Sequence, residues 1–422
     1  MKKRAYKTTD VKKVNVDRLQ KKVEGHAIVF SVDVAKTDFV ACIMTSSKEV
    51  LVTLKWKHPS ESLVLLELIL RDLRWHSLEV VMEPSGTYGD SLRAQFLGHG
   101  IDVYRVSPKR SHDASEVYDG VPSMHDAKAS AIIGYLHLEG YSEPWPMADE
   151  NHRTLNAMIR TMNMYDEAYF RNINRLEALT MRYWPELSGI LSLQSATLLE
   201  LLIQFGGPEQ VALHQDEAAT FMKKIGGVQL KEEKIQAVLA SASSTLGVKS
   251  IEAERCQIQE LCGEIRRQQK YRRRAQLRVE AQTQTVACVN AMSPILGKVT
   301  ATVIYLALGD LNKHAGAGSV VKALGLNLKE RSSGKHQGQL RITKRGSGLA
   351  RMYLYMAVLR LIHRNSIVNA WYTAKVARDG GMKMKAIVAI MRKIAGALWH
   401  VGRGATFDAS LLFDTQRLAI NG

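Results

Sequence analysis

The chain has 422 residues, 46% of them hydrophobic, with 58 Lys and Arg against 41 Asp and Glu for a formal net charge of +17. That composition excludes global disorder, leaves room for about two to four domains, and points to a polyanionic partner, nucleic acid before membrane. No apolar run reaches the ~20 residues of a bilayer span, the basic start Met1-Lys2-Lys3-Arg4 lacks a signal peptide's apolar core, and four scattered cysteines (Cys42, Cys256, Cys262, Cys288) suit neither a disulfide scaffold nor a zinc cluster, so a cytoplasmic protein with reduced thiols is expected.

Residues 1–24 hold nine Lys and Arg against three acids and read as a flexible basic arm. From residue 25 the pattern changes to short β-rich runs, His26–Val32, Phe39–Met44 and Glu49–Trp56, followed by a helical stretch, Glu61–Leu73. Strand Leu78–Met82, helix Asp90–Leu97, strand Ile101–Val106 and helix Asp126–Leu138 complete a domain over 25–147. Its element order predicts an α/β layer, a mixed sheet covered by helices.

After Pro144-Trp145-Pro146 the strands end. Leu155, Ile159, Met162, Tyr169, Ile173, Leu176 and Tyr183 follow alternating four- and three-residue steps, with Asp166 and Thr180 filling two register positions, which is a coiled-coil seam that Pro185 stops. A second long helix is expected from about Ile251 to Val289, reaching ~60 Å at 1.5 Å per residue. Residues 148–290 thus read as an antiparallel helical arm with an inserted lobe, and the seam fits either an internal hairpin or a dimer contact. Residues 291–422 read as an all-α domain, with helices at Val299–Leu308, Val320–Leu324, Gly348–Leu361, Ile367–Val376 and Met382–Trp399. A long irregular stretch, Asn327 to Gly346, interrupts them; such a loop inside a helical domain is usually functional.

The positive charge is concentrated. Residues 265–278 carry seven Arg and Lys and no acid, and 329–403 carry sixteen against Glu330 and Asp379. A solvated helical face explains the first run as well as nucleic acid does, but the second lacks the acids that normally neutralise such a face. Trp371 and Tyr372 at helical spacing, and Met352, Met356, Met382 and Met384, read as packing residues.

Three acids stand out in the first domain. Asp33 closes the first strand, Glu83 closes the strand before a Pro-Ser-Gly turn, and Asp126 opens the last helix, with His125 as its cap or as part of the groove. In an open sheet, ligands bind beyond the carboxyl ends of the strands, where parallel pairing would make Asp33 and Glu83 neighbours. Clustered carboxylates suit hard Mg²⁺, whose charge supports phosphoryl transfer; ordinary capping is the alternative for any one of them.

This strand order and these acids resemble the RuvC-like, RNase-H-type nuclease fold. Ser31-Val-Asp33-Val-Ala-Lys36, Met82-Glu83-Pro-Ser-Gly86 and Pro122-Ser-Met-His-Asp126-Ala-Lys128, together with Leu324-Gly-Leu326, Arg331-Ser-Ser-Gly334, Ile342-Thr-Lys-Arg-Gly346, Leu349-Ala-Arg351 and Met391-Arg-Lys393, are similar to the DEDD transposases, the family of Piv-type DNA invertases and bridge-RNA-guided recombinases of insertion sequences. The resemblance covers about 25–140 and 290–400. It implies a metal site of Asp33, Glu83 and Asp126 holding Mg²⁺, and a nucleophile at Ser333, with Ser332 the fallback. It also implies phosphate clamping by Arg331, Lys335, Arg341, Lys344, Arg345 and Arg351. The expected partners are target and donor DNA, a guide RNA, and further copies of the chain, as dimers that pair into a tetramer. Arg266, Arg267, Arg272, Arg273 and Arg274 on the arm are further candidates for RNA or DNA contact.

One departure stands out. The family's acidic pattern has a fourth member three residues after the third, and here that place is Ala129. Either the site runs on three carboxylates, or Asp113, Glu116 or Asp119 substitutes for the fourth, or Ala129 is a substitution that weakens the metal site. Two other functions therefore stay open: a Mg²⁺-dependent nuclease or junction resolvase in which Ser333 is only structural, and a non-catalytic nucleic-acid-binding protein on a degenerate nuclease fold.

Overall fold

The computed structural model describes residues 7–330, 338, 340–414 and 416. The chain divides into two compact units, Met1–Asp149 and Glu150–Gly422.

The first unit is built on a seven-stranded sheet of β1 (Thr8–Asp10), β2 (Ala27–Asp33), β3 (Asp38–Thr45), β4 (Val50–Lys57), β5 (Ser77–Met82), β6 (Val103–Arg105) and β7 (Glu143–Pro144) in the order β1-β4-β3-β2-β5-β6-β7. The β2–β3 and β3–β4 pairs are antiparallel, whereas β5 lies parallel to β2 and β6 parallel to β5. This is the mixed, helix-covered sheet expected of an RNase-H-type α/β domain.

Two layers cover it. One face packs Phe30, Val32, Phe39, Ile43, Trp56, Val80 and Met82 against Leu65, Ile69, Leu92 and Phe96. The other packs Val29, Cys42, Met44 and Val81 beneath the Asp126–Leu138 helix through Ala131, Ile132 and Ile133. The alternation of neighbours such as Val29 and Phe30 between the layers is the period-two signature of a sheet buried on both faces. Gly134 lets that helix come close: a Cβ there would lie 2.8 Å from both Met44 Sδ and Ser31 Oγ. The expected Glu61–Leu73 helix is α-helical only over Ser62–Glu67 and continues as a π-helical turn, Leu68–Asp72.

Residues 7–24 correct the expectation of a flexible arm. β1 pairs parallel with β4, and a Val16–Val23 helix follows, capped by Asn15, whose side chain accepts the Arg18 N–H at 2.9 Å. Val11, Leu19 and Val23 are buried in the sheet's core. These widely spaced apolar residues outweigh the charge between them, because lysine and arginine stay solvated on the outer side of so short a helix. Residues 1–6 lie outside the described residues.

In the second unit, helix Glu150–Tyr183 runs antiparallel to helix Glu252–Gln282. Asn151 bonds to Gln282, Asp166 to Arg272, and Asn172 to Gln268. Every apolar seam residue named from the sequence is buried, so the seam is closed by the chain's own second helix, an internal hairpin. That second helix ends sooner than expected, at Gln282, where the buried Thr283 turns its hydroxyl back onto the Val279 carbonyl at 2.8 Å. Between the two helices, Ala196–Phe205, Gln215–Gly226 and Glu232–Ser243 form a lobe whose Leu198, Leu202, Met222 and Val238 share a core with the arm's Tyr169, Ile173, Ile258 and Ile265.

The remaining helices, chiefly Lys298–Leu308, Gly348–Arg364, Ser366–Arg378 and Lys383–Val401, share a core with the arm's Ile159, Met162, Ala275 and Val279. The interrupting stretch is not wholly irregular. β8 (Leu328–Lys329) pairs antiparallel with β9 (Arg341–Ile342) and closes the base of a loop. Trp371 is buried against Phe413, as a packing role requires, but Met352, Met356, Met382 and Met384 are exposed rather than buried in the core. Among the described residues no helix is long and apolar enough to cross a membrane.

Candidate active site and nucleic-acid interface

Asp33 is the last residue of β2, and parallel β5 brings Val32 level with Met82. The Glu83 N–H then donates to the Val32 carbonyl at 3.3 Å, which sets Glu83 beside the end of β2. Asp126 is the first residue of the helix that Gly134 seats on β2 and β3. Three elements thus carry one carboxylate each to the carboxyl end of the two central strands.

Their mutual influence is electrostatic. Burial, then the charges of Glu83 and Asp126, push Asp33 up from 3.8 to about 6. Each of those charges opposes ionisation of Asp33, which is the environment a cation relieves. Among the described residues no three His, Cys, Asp or Glu side chains converge closely enough to hold one ion, so the set is open. Its donors are carboxylate oxygens, which fit a hard divalent cation that keeps several waters.

The entry to Asp126 is fixed by a residue that composition and spacing did not single out. Lys128 is only 1% exposed, and its Nζ donates to Asp119 Oδ1 at 2.7 Å and to the carbonyls of Val121 and Ser123 at 2.5 and 2.9 Å. All three ammonium protons are therefore used in pinning 119–123 under the start of the helix. His125 caps that helix, its Nδ1 accepting the Lys128 N–H at 3.3 Å. Asp119 faces this lysine and Asp113 pairs with Lys109 at 2.5 Å, so two of the three candidate substitutes for the missing fourth acid are already engaged by cations; Glu116, the third, is exposed. Ala129 stands half-buried in the helix's first turn. A lone lysine beside Asp126 carried no signal of burial; only the fold reveals that 119–123 closes over it.

Ser332, Ser333, Arg331 and Lys335 lie outside the described residues. The frame that holds their loop is described. Gly325, at φ +67°, lies against Arg345, whose carbonyl would be 2.0 Å from a Cβ there; Gly346, at φ +104°, lies likewise against the Ala323 carbonyl. Thr343 and Lys344 donate their N–H groups to the carbonyls of Asn327 and Gly325, both at 2.9 Å. Arg351 Nη1 bonds to the carbonyls of Leu324 and Gly346 at 3.2 and 3.1 Å, so part of its guanidinium serves the loop base rather than a phosphate. Arg341, Lys344 and Arg345 are exposed around that frame.

The arm's arginines divide. Arg266 pairs with Glu200 at 2.8 Å, Arg267 with Glu264 at 2.7 Å, and Arg272 with Asp166 at 2.5 Å while lying over the Tyr169 ring. Arg273 and Arg274 are exposed, and no acid forms an ion pair with either among the described residues.

Comparison with known families bears on both regions. Residues 30–185 match a model of DEDD transposases of IS110 type, and residues 292–373 match the model of the transposase IS116/IS110/IS902 family. No curated protein matches the chain. The first match holds Asp33, Glu83 and Asp126, the second holds the Ser332-Ser333 loop and its frame, and both fall in the order in which the sequence motifs occur. The chain belongs to the IS110 family of DEDD transposases.

Proposed function

We propose that this transposase cuts and rejoins DNA by transesterification, using a divalent-metal site in the first unit and Ser333 in the second, with an element-encoded bridge RNA selecting target and donor DNA. The observation that supports the reading is that Asp33 and Glu83 stand at the neighbouring ends of two parallel strands with Asp126 opening the adjoining helix, all within the stretch that matches the DEDD transposase model. Uncompensated carboxylates so placed raise the free energy of the metal-free state, a cost that cation binding removes.

Asp33, Glu83 and Asp126 would hold Mg²⁺, which supplies charge stabilisation for the phosphoryl group and its attacking and leaving oxygens. The Ser333 hydroxyl gives up its proton and forms an ester bond to the phosphorus, and the displaced deoxyribose hydroxyl leaves with a proton. Attack by another strand's hydroxyl reverses the step on a new partner. Arg331, Lys335, Arg341, Lys344 and Arg345 neutralise the phosphates during exchange, and Arg351 keeps the loop frame in register. Separate carriers for the metal site and the serine suit an assembly of dimers paired into a tetramer, in which one copy's serine works with another's carboxylates.

The test is purification without nuclease treatment, sequencing of the nucleic acid retained, and reconstitution of strand exchange with that RNA, DNA and Mg²⁺. A discrete structured RNA that directs exchange supports the reading; a random cellular mixture and RNA-independent cutting overturn the guided form of it. Ala129, together with the open carboxylate set, favours a second reading, non-catalytic nucleic-acid binding. Ala129→Asp that gains no Mg²⁺-dependent cutting while nucleic-acid binding stays intact would favour this second reading, and a gain of cutting would count against it.

A further inference from the structure

A cavity of about 340 Å³ opens on the arm between its two long helices. Ala157, Thr161 and Tyr165 line one wall at four-residue steps, and Tyr271, Arg274 and Arg278 line the other on one face of Glu252–Gln282. Tyr165 and Tyr271 stack with ring centroids 5.5 Å apart and planes 28° apart. Among the described residues no acidic side chain lines the cavity. Arg274 and Arg278 are exposed, with no ion-pair partner among the described residues, in contrast to Arg266, Arg267 and Arg272 on the same helix.

Small residues on one wall leave a slot, the tyrosines give it an aromatic end, and the two arginines put uncompensated positive charge at its rim. We propose that this cavity is a subsite for one unpaired nucleobase of a single-stranded nucleic-acid segment, stacked against the Tyr165–Tyr271 pair with its flanking phosphates on Arg274 and Arg278. Aromatic platforms beside cationic tracks are how single strands are held without base pairing. The volume is at the low end of ligand clefts, about 300–1,000 Å³, which suits a base better than a larger group. A second copy of the arm is the competing occupant, but a self-complementary contact here would bring arginines together with no acid of the cavity to offset them.

The inference rests on the nucleic-acid-handling function proposed above, but its test needs no catalysis. The full-length protein is titrated into 12-nucleotide RNA and DNA single strands carrying a central 2-aminopurine, with affinity read by anisotropy and stacking by quenching. Tyr271→Leu keeps the apolar contact and removes the ring; the expected result is about 5- to 150-fold weaker binding with quenching lost. Arg274→Gln with Arg278→Gln should lower the slope of log affinity against log salt by about 1.4, from ~0.7 per phosphate on a single strand. Preference for the RNA or the DNA probe identifies the source of the strand. Unchanged affinity and quenching in Tyr271→Leu would overturn the proposal, as would a change confined to oligomeric state in light scattering, which would assign the cavity to a second copy. If wild-type protein binds in this way but yields no strand exchange, the catalytic reading fails and the subsite stands.

Discussion

Removing the charge of Asp33 should stabilise the metal-free protein, and only above a defined pH. Asp33 titrates near 6 in the folded chain and near 3.8 when unfolded. The folded state therefore binds more protons between those values, and stability falls as pH rises through that window. The full difference corresponds to about 3 kcal/mol at 1.36 kcal/mol per pH unit; partial solvent access to Asp33 reduces it to roughly 1–3 kcal/mol. Asp33→Asn should match wild type near pH 4 and exceed it by that amount at pH 7.5. In EDTA, for a unit of 149 residues, this is a rise of about 2–12 °C in Tm at about 2–4 °C per kcal/mol. Adding 10 mM Mg²⁺ at pH 7.5 should raise wild type toward the variant and leave the variant unmoved. The assay is a thermal melt of both proteins from pH 4 to 8, with and without the metal. Parallel curves across the whole range would refute the reasoning, since Asp33 would then feel neither burial nor its carboxylate neighbours.

Lys128→Met should lower stability by about 3 kcal/mol or more in a denaturant titration, because it leaves Asp119 and two carbonyls without their cation, and adding Asp119→Asn should recover part of the loss. Gly325→Ala should disrupt the loop frame, since its Cβ would lie 2.0 Å from the Arg345 carbonyl; Gly120→Ala, at φ +75° with open space around it, should cost only the ~1–2 kcal/mol of the backbone conformation, both read as Tm. Arg266→Gln should lower Tm through the loss of its Glu200 pair, whereas Arg345→Gln should leave Tm within about 1 °C and weaken DNA binding in a salt-dependent way.

The fold was legible where chemistry repeats along the chain. Strands β2, β3, β4 and β5 announced themselves as apolar runs ending in turns, and the arm's seam as a heptad whose every apolar member proved buried. Helix Asp126–Leu138 was expected at the limits observed. Short elements were not legible. β1 and β7 have three and two residues and little apolar character, so only their pairing with β4 and β6 defines them. Residues 7–24 misled because charge dominates their composition while three buried side chains, Val11, Leu19 and Val23, decide their structure.

The candidate site divides in the same way. Asp33, Glu83 and Asp126 could be picked from strand ends and a helix start, because the topology of a parallel pair dictates where those ends meet. What sequence could not supply was the state of each charge. Seven basic residues at 265–278 look alike in the chain, yet Arg266, Arg267 and Arg272 are spent on Glu200, Glu264 and Asp166, partners as much as 106 residues away. The same holds for Lys128, whose partners are set by the folding of a loop rather than by any local pattern.

The most direct test of the central claim is the search for a covalent protein–DNA bond. The protein is incubated with its retained RNA, DNA carrying the ends of the element that encodes it, and Mg²⁺, then denatured, and the adducted peptide is sequenced by mass spectrometry. A DNA-linked peptide modified at Ser333, lost in Ser333→Ala and in Asp33→Asn, is the predicted result. DNA cleaved without an adduct, or an adduct that survives both substitutions, would contradict the account.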